Sequence, residues 1–168
     1  MTTMLEPMLH EFREEATITK RVLDRVPADK LAWKPHARSM SLGQLALHVA
    51  RIPGNLSRIA QLEEFDVSQA SFDPPAPSDI KEIHTALDES IRSAEECLSS
   101  MSEKTAQGNW SLMHQGKEVF TKPRVSVLRS IMLNHWYHHR GQLSVYLRLL
   151  DVPVPVIYGR SADESSFV

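Results

Sequence analysis

The 168-residue chain is expected to be all-α, a four-helix bundle with long connections and a small β-hairpin excursion before the last helix. Three observations predict this. Four segments of roughly 20 residues carry apolar side chains at every third or fourth position, the spacing that gathers them on one helical face. Proline-rich stretches and capping sequences separate the segments. Strand character is confined to two short runs ahead of the last segment. Helices with no extended sheet to cover bury their stripes against one another, which a bundle does. The length agrees with one domain, 1–168.

The first helix is expected over residues 5–26, where Leu5, Leu9, Phe12, Ala16, Val22, Leu23 and Val26 fall near helical spacing and Pro27 closes the run. His10, near the chain end, reads as solvated. A structured loop over 27–40 carries Trp33, Pro35 and His36. Ser41-Leu42-Gly43-Gln44 then has the form of a capping box and starts the second helix. Its inward stripe holds Leu45, His48, Ile52, Leu56 and Ile59. Pro53-Gly54 is expected to kink or break that helix after Ile52, because proline removes a donor and crowds the preceding turn.

Beyond the proline-rich connection at 71–78, Ser78 or Asp79 is expected to cap a third helix whose apolar face is Ile80, Ile83, Leu87, Ile91, Ala94 and Leu98. His84 falls beside that face, and Cys97 reads as a small apolar filler with no basic neighbour to activate its thiol. Residues 109–113 and 118–121 form the hairpin, turning through His114-Gln115-Gly116-Lys117, so His114 is expected in solvent. The fourth helix runs over 124–150 and stops at Asp151-Val152-Pro153. The tail, 156–168, is expected to pack back along the bundle.

The formal net charge is -2 and neither sign forms a block, which disfavours nucleic acid and anionic membrane as partners. One cysteine excludes an internal disulfide and any cysteine-rich zinc or iron–sulfur site within the chain. No secretory pattern and no apolar run of about 18 residues is present, so a soluble, cytoplasmic protein is expected.

Three of the eight histidines lie within 134–142 of the last helix. Leu128, Ile131, Met132, Leu143, Tyr146 and Leu150 mark an inward stripe there. At about 100° per residue His135 and His139 project near its middle, roughly 40° apart, with His138 on the flank and Arg129, Arg140 and Arg148 on the solvent side. Two imidazoles one turn apart can share a cation, which relieves the cost of burying them. His48 points inward from the second helix. Together His48, His135 and His139 offer three neutral nitrogens and leave a coordination position open. The same residues can equally be hydrogen-bonded core histidines, since H-x-x-x-H is a common pattern. The glutamate of H-E-x-x-H is replaced by Trp136, and acidic residues fall mostly on outer faces, which weakens a protease-type hydrolase. Gln44 and Gln142, each one turn from a histidine, are candidates to orient a bound molecule or to support a ligand.

Leu31-Ala32-Trp33-Lys34-Pro35 followed by Ser39-Met40-Ser41-Leu42-Gly43-Gln44-Leu45-Ala46-Leu47-His48, then His135-Trp136-Tyr137-His138-His139-Arg140-Gly141-Gln142-Leu143, then Tyr158-Gly159-Arg160-Ser161-Ala162-Asp163-Glu164, stand in distinctive order. Over nearly the whole chain they resemble the DinB-like (DinB/YfiT-like) family of metalloenzymes. The resemblance implies a four-helix bundle, commonly a homodimer, with nickel, zinc or iron held by three histidines, here His48, His135 and His139. Some related families are thiol-dependent transferases or isomerases that use glutathione, mycothiol or bacillithiol. The implied function is therefore a divalent-metal-dependent enzyme of thiol-transferase type, acting on a small electrophilic substrate with a low-molecular-weight thiol. The alternatives are a metal-dependent hydrolase, a non-catalytic metal- or small-molecule-binding or stress-response module, and a bundle that a metal merely stabilises.

Overall fold

Helix α1 (Glu6–Leu23) places Pro7 in its first turn, where a missing N–H costs no helical hydrogen bond. Met8, Phe12, Glu15, Thr19 and Leu23 recur on its buried side. The structure, a computed structural model, describes residues 4–71 and 74–165. Residues 72–73 of the expected connection and 166–168 of the expected tail lie outside the described residues. Helix α2 (Leu42–Ile59) begins with the full capping box: Gln44 N–H donates to Ser41 Oγ at 3.1 Å, and Ser41 N–H to Gln44 Oε1 at 2.9 Å. In helix α3 (Ile80–Ser100) the cap is Asp79, which accepts from Glu82 N–H at 2.9 Å; Ser78 instead donates to the Glu82 carboxylate.

A short helix α4 (Glu103–Gln107) leads into strands β2 (Asn109–His114) and β3 (Lys117–Pro123). The final helical run has three parts: α5 (Arg124–Val127), a π-helical segment Leu128–Leu133, and α6 (Asn134–Leu149). Helix α1 packs on α3 and α6, and α2 packs on the same two. Thus α1 and α2 stand diagonally in the bundle, and the 24–41 connection crosses its end. Among the described residues no helix is long and apolar enough to cross a membrane.

The β excursion is larger than a hairpin. Strand β1 (Glu64–Asp66) pairs parallel to β2, which also pairs antiparallel to β3, so the sheet has three strands with β2 in the middle. The hairpin turns on Gln115 and Gly116, both at positive φ (52° and 72°) as a two-residue turn between twisted strands requires. The Asp66 carboxylate accepts both of their N–H groups, at 3.1 and 2.9 Å, and the Ser68 hydroxyl's bond to it, followed by those from the Gly116, Ser68 and Gln115 N–H groups, holds it well below the usual carboxylate range. A three-residue strand with that sequence carries no alternation to read. Its place comes from a carboxylate docking on a distant turn.

Helix α2 does not break at Pro53. The proline leaves Val49 C=O without its helical donor, and Trp136 Nε1–H of α6 donates to that oxygen at 3.0 Å. Gly54 N–H donates to Ser90 Oγ of α3 at 2.7 Å, and a Cβ at Gly54 would meet Ser90 Cα at 2.8 Å, so glycine permits the helices to approach. Groups on two neighbouring helices satisfy what the proline disrupts.

One of the three arginines expected on the solvent side of the last helix is buried. Arg140, expected in solvent, is 1% exposed, and Arg124 is buried as well, donating to the carbonyls of Ala60, Leu62 and Asn109. Arg129 and Arg148 are exposed as expected, paired with Glu11 and Asp163. The tail does pack back: Glu164 pairs with Arg21 at 2.6 Å and with Arg25 at 2.7 Å on α1 and its C-terminal turn.

Candidate metal centre

His48 leaves α2 one residue before the carbonyl that Trp136 engages, and His135 precedes Trp136 on α6. The Trp136–Val49 bond thus fixes the two helices beside the histidines. The buried face of α6 is Trp136, Arg140, Leu143 and Leu147. His135 and His139 stand about a quarter turn to one side of it and are half-buried rather than central. A helix of constant pitch over 124–150 misplaces this face. Residues in the π-helical segment advance less round the axis, because each turn is closed by an i→i+5 bond.

The three histidines meet. Ligand atoms of His48, His135 and His139 all lie within 4.8 Å of one another, and His48 Nε2 is 3.4 Å from His135 Nε2. Two nitrogens at about 2.0–2.1 Å from one tetrahedral ion are about 3.3 Å apart, so this spacing suits a shared cation. His139 Nδ1 is 2.7 Å from Gln142 Oε1. An amide oxygen only accepts, so the proton sits on Nδ1 and Nε2 keeps its lone pair. Gln142 therefore supports a histidine as expected, whereas Gln44 is spent on the cap and on Pro74 C=O at 2.8 Å. The donor set fits a divalent ion that accepts nitrogen ligands.

Among the other histidines, His138 is exposed although its ring touches His139 at 4.8 Å; His10 and His114 are exposed; His84 lies 3.6 Å from Asp24. Burial raises the Cys97 thiol to about 11, in line with a filler role.

Desolvation, then the neighbouring imidazoles, lowers His48 and His135 from 6.5 to about 4, and desolvation lowers His139. The unfolded chain binds protons at these sites where the folded chain does not, so stability rises with pH across that window. The metal-free protein is expected to hold this contribution fully above pH 6.5 and to lose it as pH falls toward about 4. Urea midpoints measured from pH 7 to 4 should drop for the wild type and flatten in His48→Gln and His135→Gln. A slope unchanged by both variants excludes these rings as its source.

Trp136→Phe is expected to cost about 1–3 kcal/mol beyond its packing change, by leaving the Val49 carbonyl buried and unpaired. In a Pro53→Ala background the restored N–H takes that carbonyl, and the penalty should shrink. Additive losses in the urea double-mutant cycle would contradict the exchange of donors.

The sequence pattern missed Arg140. Its guanidinium pairs with Glu15 Oε2 at 2.5 Å and donates to Glu15 C=O (3.2 Å), Thr19 Oγ1 (3.0 Å) and Tyr158 Oη (2.5 Å). It is stacked near the Tyr137 and Tyr158 rings, 5.2 Å from each centroid. This cluster ties α1, α6 and the tail together directly behind His139.

A helical bundle with three histidines convergent from two helices defines a class of protein in which facing helices bring together residues that could hold a metal ion. The sequence model of the DinB family matches residues 1–166, and the chain belongs to that family. It is 24% identical over 165 residues to the uncharacterized protein YrdA of Bacillus subtilis, covering 98% of this chain and 93% of that one. Its fold is similar to a DinB-like protein of Bacillus cereus (TM-score 0.69, 23% identity, 89% of this chain and 95% of that one). It is also similar to the DinB-like protein YjoA of Bacillus subtilis (TM-score 0.68, 17% identity, 90% and 96%).

Proposed function

We propose that His48, His135 and His139 hold one divalent cation and that the protein is a metal-dependent enzyme of thiol-transferase type acting on a small electrophile. The observation that carries the metal reading is the meeting of three imidazoles from two helices within 4.8 Å. Zinc, nickel and iron all accept three neutral nitrogens, and three protein ligands leave a place for an exchangeable one. Bound there, such an ion would acidify a thiol or water and polarise an electrophile. The chain's own part is to hold the rings: Gln142 sets the His139 tautomer, and Trp136 locks α6 to α2.

Thiol transfer is supported by the resemblance to thiol-using families and by what stands beside the histidines. Among the described residues lining the adjoining cavity, none carries a carboxylate or an amine. Activation of water wants a general base, whereas a thiol with a pKa of about 8.5 yields its proton far more readily. In the transfer, sulfur bonds to the electrophilic carbon, the thiol proton passes to solvent, and the leaving group departs with its electron pair. A second copy of the chain is the proposed partner, with Val145 and Leu149 exposed at 56% and 58% one turn apart on α6. A cytoplasmic setting agrees with the unpaired Cys97.

The test is turnover of 1-chloro-2,4-dinitrobenzene with glutathione, bacillithiol or mycothiol by metal-loaded protein. Activity abolished by chelation and by His135→Ala supports the reading. Thiol or electrophile binding with no turnover under any metal favours the non-catalytic module.

A further inference from the structure

From the histidines, two apolar stripes run toward the sheet. One follows α2 through Ile52 and Leu56; the other runs back along the final helical run through Ile131 and Val127. Strands β1 and β2 close the space between them with Phe65 and Leu112, which are paired in register. The result is a cavity of about 350 Å³ with His48 and His135 in its wall. That volume lies in the range of small-molecule sites.

Three properties of this cavity are chemical instructions. No Asp, Glu, Lys or Arg lines it. Its polar edge is thin: Trp110 Nε1–H is already given to Ile59 C=O at 3.1 Å, and Asn55 Oδ1 accepts from Arg58 at 2.5 Å. Leu56, Phe65, Leu112 and Ile131 are only half-buried, because their remaining surface faces the cavity. Arg51, Arg58, Glu82 and Glu89 line a separate polar groove, where Arg51 and Glu82 pair at 3.1 Å.

We infer that this cavity is the substrate subsite, and that it takes a neutral molecule with an apolar, ring-sized body whose reactive end lies at the histidines. The identity of the reactive end rests on the metal reading proposed above; the apolar body rests on the cavity alone. A charged body would lose its hydration against hydrocarbon with no counter-charge to meet it. A low-molecular-weight thiol bearing carboxylates would accordingly keep its charged groups outside, and the apolar partner in a transfer is the electrophile.

Two titrations separate the cavity from the metal. In the first, full-length protein with measured metal content is titrated calorimetrically with imidazole, 4-phenylimidazole and the anionic imidazole-4-acrylate. Burial of the phenyl ring should make 4-phenylimidazole bind about tenfold or more tighter than imidazole. Leu112→Asp, or Val67→Asp on the half-buried turn after β1 should the first fail to fold, should bring that ratio to within about twofold of unity. In the second, chelator-stripped protein is titrated with 1-naphthol by fluorescence, and binding should vanish in the same variants. Equal binding of imidazole and 4-phenylimidazole, preference for the acrylate, or no effect of either aspartate overturns the inference. Protein that binds no metal but still binds 1-naphthol in a Leu112-dependent way overturns the metal reading and upholds the apolar subsite; no 1-naphthol binding overturns the subsite whether or not metal is present.

Discussion

Arg140→Ala is expected to destabilise the protein by about 3–5 kcal/mol, since removing one member of a buried ion pair strands the other without its counter-charge. Arg140 is 1% exposed and the Glu15 side chain 10%, so water cannot take over the lost contacts. Arg140→Lys should recover only part of the loss, because one ammonium cannot span the Glu15 carboxylate, the Glu15 carbonyl, Thr19 and Tyr158 at once. Glu15→Gln should be milder, since an amide oxygen still accepts from the guanidinium. Urea unfolding of the three variants checks the order. A cost below about 1 kcal/mol for Arg140→Ala would mean that the cluster holds little. The consequence reaches the site, because the residue before Arg140 is His139.

Removal of any one of His48, His135 and His139 is expected to abolish tight metal binding. Purified protein should carry about one divalent ion per chain, and each alanine variant should lose at least about 100-fold in affinity, since removing a ligand costs more than the roughly 10–100-fold lost with a residue that only supports one. His138→Ala should retain the ion, because that side chain is exposed and lies outside the cluster. Gln142→Ala should weaken binding about 10–100-fold by freeing the His139 ring to change tautomer. Elemental analysis and competition with a chromogenic chelator measure all five. Metal lost in His138→Ala and kept in His139→Ala would reverse the ligand assignment. Acid should release the ion as the imidazoles protonate.

The four long helical runs and the three histidines that meet were legible from sequence because both follow from local periodicity, whereas the five-residue helix α4 is too short to show a period. Ser41 and Gln44 cap α2 as their spacing requires, and the spacing groups His135 and His139 on one side of α6 and turns His48 toward them, although the α6 pair stands half-buried beside the apolar face rather than at its middle. Three features escaped for one kind of reason. The continuity of α2 through Pro53 depends on Trp136, 83 positions later by residue number. Strand β1 depends on Asp66 finding the 115–116 turn. The burial of Arg140 depends on Glu15 and Tyr158, brought from opposite ends of the chain.

Each of these rests on a polar contact with a partner far away in the chain, and periodicity carries no information about such partners. Apolar spacing and capping chemistry act over one or two turns, so they specify the long helices, the bundle class and which imidazoles share a side of a helix. The depth of α6, its turn past the π-helical segment, and the apolar cavity beside the histidines arise only when the helices and sheet close on one another. Those contacts set whether three inward rings become a site, because imidazoles at helical spacing share an ion only if a second helix is held at the right distance.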